Sequence, residues 1–304
     1  MSNGTTLELN TLIRLRAAAR GLELGARRRA LSTQAGGYLS VYHGRGMEFD
    51  EVRAYQAGDD ARTIDWRVTA RRGRPHTKLF REERERPVMF LVDLHPGMYF
   101  GSRVQYKSVL AGHLCALLGW AAVRAGNRVG GIVHTVDNHK EIYPAARESG
   151  LLPMLKAMVQ LQPTSPGNMT IGRMDRALVR LSRVARPGSL VVIFSDFREF
   201  GDNSAKQLGA IAQHNDVISA FLYDPLEASP PPAGFYRLGI NQQRLSLNTS
   251  HSSVSKQWQT QFQEHRAKIR TLCARHAIHF MEVATTDPMV PALRAGLTQH
   301  GKHT

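Results

Sequence analysis

VMFLVDLHPGM, residues 88–98, sets an unbroken apolar run ahead of an aspartate and a Pro-Gly turn, and LVVIFSDF, residues 190–197, repeats the pattern later in the chain. A short apolar run bounded by turn signals is what a strand buried on both faces requires. Working outward, further strands are expected at Arg128–His134, Val217–Tyr223 and Ile278–Val283, beside Val88–Val92 and Leu190–Phe194. Between them, helical periodicity covers Arg103–Arg124, Leu151–Val159, Arg173–Ala185, Ser204–Gln213 and Ser255–His276. Strands alternating with helices predict an α/β domain, a parallel sheet flanked by helices. Ligands of such sheets bind beyond the carboxyl ends of the strands, where the topology reverses. Asp93 and Asp196 close two strands there, and if those strands are neighbours both carboxylates enter one crevice; the plainer alternative is that each caps a following turn.

The chain has 304 residues, 42% of them hydrophobic, which suits one large domain with a smaller unit. No apolar run has the length of a membrane helix, and MSNGTTLELN lacks the basic-then-apolar order of a secretory signal, so a cytoplasmic protein without membrane insertion is expected. Cys115 and Cys273 lie far apart in helical segments and read as reduced core thiols. The formal charge is +15, but the excess is spread: residues 1–87 hold 17 basic and 11 acidic side chains, the rest 23 and 14. A generally cationic surface explains this, with nucleic-acid binding as the alternative.

Residues 1–87 read as a helix near Thr6–Ala19, a flexible basic connection and a small β-rich subdomain; residues 88–304 read as the α/β domain, with a hairpin excursion near 229–250. Within the subdomain, Thr63–Val68 alternates apolar and charged residues, predicting a strand with Asp65 and Arg67 on one face and Ile64 and Trp66 anchoring the other.

The stretch Gly44–Asp93 carries Gly46, Glu48-Phe49, Val52-Arg53, Tyr55, Gly58-Asp59-Asp60, Arg62, Ile64-Asp65-Trp66, Ala70-Arg71 and Glu82-Glu83-Arg84. This string resembles the signature of the bacterial family called domain of unknown function 58, and Ser195-Asp196-Phe197 with the strand order extends the likeness over most of the chain. The resemblance implies a Rossmann-like, von Willebrand factor A-like domain that works with MoxR-type AAA+ ATPases in assembling or activating a client protein. It also implies a metal-ion-dependent adhesion site, in which Asp-x-Ser-x-Ser, a Thr and a second Asp hold magnesium. Here His95 and Gly97 stand in the serine positions, and the Thr position falls near Gly172, two residues after Thr170; only Asp93 and Asp196 match. Two carboxylates make a poor magnesium site, so a degenerate site with weak or absent magnesium and no cofactor is expected, a softer metal on Asp93, His95 and Asp196 being the alternative.

The polar family motif is read as a charge network fixing the subdomain (Asp59, Asp60, Arg62, Asp65, Arg67, Arg71) or as a docking surface using the same residues. Arg173, Arg176, Arg180 and Arg183 share one helix face opposite Met174, Leu178 and Leu181, as a solvated stripe or an anionic-partner site. The leading expectation is a non-enzymatic interaction or adaptor module. Nucleic-acid binding and a metal-dependent hydrolase built on Asp93, His95 and Asp196 are the alternatives.

Overall fold

The computed structural model describes residues 4–24, 47–56, 61–82, 86–135, 137–162, 173–240 and 243–299. Asp59, Asp60, Thr170 and the basic connection after residue 24 lie outside them. The chain forms two compact units, Met1–Leu31 with Arg86–Thr304, and Ser32–Glu85.

The larger unit is built on a six-stranded sheet of β3 (Val88–Asp93), β4 (Val129–His134), β5 (His139–Ala145), β6 (Leu190–Ser195), β7 (Asp216–Tyr223) and β10 (His279–Ala284). Its order is β10-β7-β6-β3-β4-β5, with every pairing parallel except β4 with β5. The sheet is therefore mostly parallel. β5 was not anticipated, because HKEIYPA buries only Ile142 and lacks the apolar run that marks the other strands.

The pleat decides where each strand residue goes. Val88, Phe90 and Val92 enter one core with Leu190, Val192 and Phe194, whereas Met89, Leu91, Val191 and Ile193 enter the other. The first core is covered by α1 (Leu9–Ala18), α3 (Lys107–Arg124), α4 (Glu148–Leu161) and α9 (Met289–Gln299). The second is covered by α5 (Arg173–Val184), α6 (Asp202–His214) and α8 (Ser252–Arg275). α3 is apolar nearly all round, and all but its last two residues are buried, which is how a central helix reads. Cys115 and Cys273 are free, buried thiols, and burial pushes the Cys273 thiol up to about 11.

The N-terminal helix, grouped in the sequence with residues 1–87, packs in the larger unit instead: Trp120 on α3 donates its indole N–H to the Leu12 carbonyl at 3.0 Å, and Leu12 is fully buried. After β7, the short α7 (Pro225–Ala228) leads into the expected hairpin, β8 (Phe235–Ile240) against β9 (Gln243–Asn248). No helix among the described residues is long and apolar enough to cross a membrane.

The smaller unit pairs β1 (Met47–Ala54) antiparallel with β2 (His76–Glu82). Between them the sequence reading is overturned. Ala61–Thr63 is a single 3-10 turn, only Ile64 makes a β-bridge, and Trp66–Arg72 is the helix α2. Asp65 is the reason: its side chain accepts the backbone N–H groups of Arg67 at 3.0 Å and Val68 at 3.1 Å, an N-cap that outweighs the alternating pattern. Gly73, at φ 68°, closes the helix in the left-handed conformation that glycine adopts without strain. Trp66 anchors no strand face; it is 69% exposed.

Candidate functional site

β3 and β6 are neighbours, and their register pairs Val92 with Phe194, so the next residues, Asp93 and Ser195-Asp196, meet at the carboxyl edge of the sheet. From β3 the chain proceeds to β4 on one side, while β6 lies on the other; this is the reversal point at which open α/β sheets place their sites. The two carboxylates foreseen at these strand ends come together in one buried space, each within 3.3 Å of the His95 ring.

What fills it is cationic. His95 follows β3 at the start of a single 3-10 turn, Pro96–Met98, and its imidazole lies between the two carboxylates: Nδ1 is 2.9 Å from Asp93 Oδ2 and Nε2 is 3.3 Å from Asp196 Oδ1. The His95 backbone N–H donates to Asp93 Oδ1 at 3.0 Å, and Ser195 Oγ donates to Asp93 Oδ2 at 2.6 Å. His134, at the end of β4, brings Nε2 to 3.3 Å from Asp93 Oδ1. Gly97 is what lets the ring lie there, since a Cβ at that position would stand 2.6 Å from His95 Nε2.

The second cation was not foreseen. Lys107, the first residue of α3, has no exposed surface, and its ammonium donates to Asp196 Oδ2 at 2.6 Å and to Glu227 Oε1 at 2.8 Å. A lysine at a helix N-terminus opposes the helix dipole and, buried, loses its hydration; two carboxylates offset both costs. Arg198 completes the cluster from the rim, half-exposed, with Nη2 at 3.1 Å from Glu227 Oε1. α8 closes over it, as His265 Nε2 donates to the Asp196 carbonyl at 2.8 Å.

The titration of these groups follows from that geometry. Burial alone would raise the Asp93 pKa, but the His95 and His134 charges and the bonds from His95 and Ser195 hold it well below the usual carboxylate range. Burial alone would lower His95, yet Asp93 and then Asp196 lift it to about 9, so the ring is an imidazolium at neutral pH. Asp196 opposes its own burial in the same way, lowered chiefly by Lys107 and then by His95.

The carboxylates that would serve a magnesium ion are therefore already neutralised by groups of the chain. Ser195, beside Asp196, is committed to Asp93, and its oxygen also accepts the Phe197 N–H at 2.9 Å. Magnesium demands near-octahedral oxygen ligation, and a site holding an ammonium and an imidazolium against its two aspartates does not fit it. A softer metal on Asp93, His95 and Asp196 would have to displace a proton from His95, whose ring nitrogens already face the two carboxylates at 2.9 Å and 3.3 Å.

The other expected residues are scattered. Glu48, Arg53, Tyr55, Arg62, Asp65, Trp66 and Arg71 belong to the smaller unit, and the Glu48 side chain is outside the description. Of the stripe on α5, Arg180 pairs with Glu141 of β5 at 3.1 Å, Arg176 and Arg183 face solvent, and the Arg173 side chain is not described; Met174, Leu178 and Leu181 are buried as foreseen. The sequence held one signal for Lys107, a lone lysine heading an otherwise apolar helix, and none for Glu227, which depends on α7 folding back.

The model of the family described as "Protein of unknown function DUF58" matches residues 51–268. Uncharacterized proteins of Mycobacterium bovis and Mycobacterium tuberculosis are each 30% identical over 222 residues, covering 73% of this chain and 69% of theirs. Among solved structures, an aerotolerance-related membrane protein from Bacteroides fragilis aligns at 14% identity and a TM-score of 0.44, covering 71% of this chain and 99% of that one.

Proposed function

Because the chain belongs to the DUF58 family, matched over residues 51–268, we propose that it is a non-enzymatic protein-interaction module on a von Willebrand factor A-like domain, whose crevice carries its own cations in place of a divalent metal. The observation that carries this reading is Lys107, its ammonium buried between Asp196 and Glu227 while His95 bridges Asp93 and Asp196. A metal-dependent adhesion site works by leaving one position of a bound cation open for a partner's carboxylate. Here the cations are internal and sealed, and the groups that reach the surface are Arg198 and the edge of Glu227, beside a pocket of about 230 Å³ lined by Trp258, Gln261, Phe262 and His265. Recognition at this edge is thus constitutive, governed by shape and by the Arg198 charge rather than by magnesium.

The partner we propose is a MoxR-type AAA+ ATPase or its client, in keeping with the family resemblance. Reconstitution with the ATPase encoded nearest this chain tests it: a complex that forms equally well in its nucleotide-free form with and without chelator, and that weakens on Arg198→Glu, supports the reading. Absence of any complex, or a complex that requires added magnesium on this chain, overturns it.

A further inference from the structure

Trp66 is a large apolar side chain with nothing over most of its surface, and it lies on a helix that presents arginines beside it. At about 100° per residue, Trp66, Ala70, Arg67 and Arg71 fall within an arc of about 140° on α2. All four are exposed. Arg72 and Arg74 extend the charge past the end of the helix, and the guanidinium groups of Arg67, Arg71, Arg72 and Arg74 make no ion pair with any described residue. The one acidic side chain of this stretch, Asp65, is spent on capping the helix.

The helix is held to its hairpin from the other side. Thr69 Oγ1 accepts the His76 backbone N–H at 3.0 Å, Asp65 donates its backbone N–H to the His76 carbonyl at 2.8 Å, and His76 and Thr77 are buried. Trp66 and the arginines are therefore displayed on a fixed support, which lowers the ordering cost of binding.

We propose that this face of α2 is a docking surface for an acidic protein segment, with Trp66 entering an apolar pocket of the partner and Arg67 and Arg71 pairing with its carboxylates. Tryptophan and arginine are the side chains that dominate protein interfaces, and lysine, which interfaces disfavour, is absent from the face. A nucleic acid is the poorer fit: α2 is about 10 Å long and offers two guanidinium groups on the arc, against the ~6–10 phosphate contacts of a duplex-binding protein. The choice of a protein occupant rests on the interaction-module reading; the surface itself does not.

The test uses the full chain and two probes, a capped helical peptide of Glu and Leu and a single-stranded oligonucleotide of equal charge. Trp120 is buried and Trp258 part-buried, so the exposed indole signal belongs to Trp66. Peptide binding is expected to shift Trp66 emission to the blue, to vanish from the fluorescence of Trp66→Phe, and to weaken about tenfold or more in Arg67→Glu and Arg71→Glu, a loss of about 1.4 kcal/mol per tenfold. Binding unchanged by Arg71→Glu, no peptide binding at all, or tighter binding of the oligonucleotide overturns the inference. Because Arg198→Glu and chelator act on the crevice and leave these readouts alone, failure here is distinguishable from failure of the metal-independent crevice.

Discussion

Lys107→Met removes an ammonium while nearly preserving the length of the side chain. In the wild type that ammonium sits at 2.6 Å and 2.8 Å from two carboxylates, Asp196 and Glu227, with no exposed surface. At an effective dielectric of about 20, each contact is worth roughly 6 kcal/mol before desolvation is counted. The measured cost of deleting one partner of a buried ion pair is smaller, about 3–5 kcal/mol, and it applies here although Asp196 keeps His95 and Glu227 keeps Arg198, because both acids lose the ammonium. For a domain of this size, that corresponds to a fall in melting temperature of about 6–20 °C. Urea unfolding followed by far-UV circular dichroism measures it. A second arm separates charge from packing: Lys107→Met with Glu227→Gln should recover part of the loss, since one of the stranded carboxylates is then neutral. Lys107→Ala, which opens space between the acids, should regain stability in millimolar magnesium, whereas the wild type should not respond. A Lys107→Met protein within about 1 kcal/mol of wild type would refute the account of this site.

The crevice also sets a pH dependence. Because His95 is raised in the fold from 6.5 to about 9, its stabilisation is complete below about pH 6.5 and is lost as pH rises through 9, a change on the order of 3 kcal/mol. Asp93 and Asp196 are both lowered, so their contribution is lost on the acid side, below about pH 4; urea midpoints across the range should flatten on the alkaline limb in His95→Gln. Gly97→Ala would set a Cβ 2.6 Å from His95 Nε2, and a loss of about 1–3 kcal/mol is expected by the same unfolding assay. In the smaller unit, Asp65→Ala should cost about 1 kcal/mol through the lost cap, while Trp66→Ala should stay within about 0.5 kcal/mol, the reverse of what a strand-anchoring tryptophan would show.

The parallel core was legible because strands buried on both faces must be apolar throughout, and Val88–Asp93 and Leu190–Ser195 have no other reading. β5 was not, since an edge strand with one half-buried face looks like a loop with an isoleucine in it. Thr63–Val68 misled for a different reason: alternation of apolar and charged residues fits a strand and equally the first turn of a short capped helix, and only the bonds to Asp65 distinguish them. The aspartate pair was visible as two strand ends of one kind, and the departures at His95 and Gly97 as missing hydroxyls. That His95 replaces a ligand with a cation, and that Lys107 and Glu227 join it from elements far along the chain, depends on tertiary packing that spacing alone does not encode.

The central claim is that the crevice supplies its own positive charge. Isothermal titration of magnesium into the full-length wild-type chain at neutral pH tests it most directly: no saturable binding is expected up to millimolar concentration, and micromolar binding abolished by Asp93→Ala would contradict it.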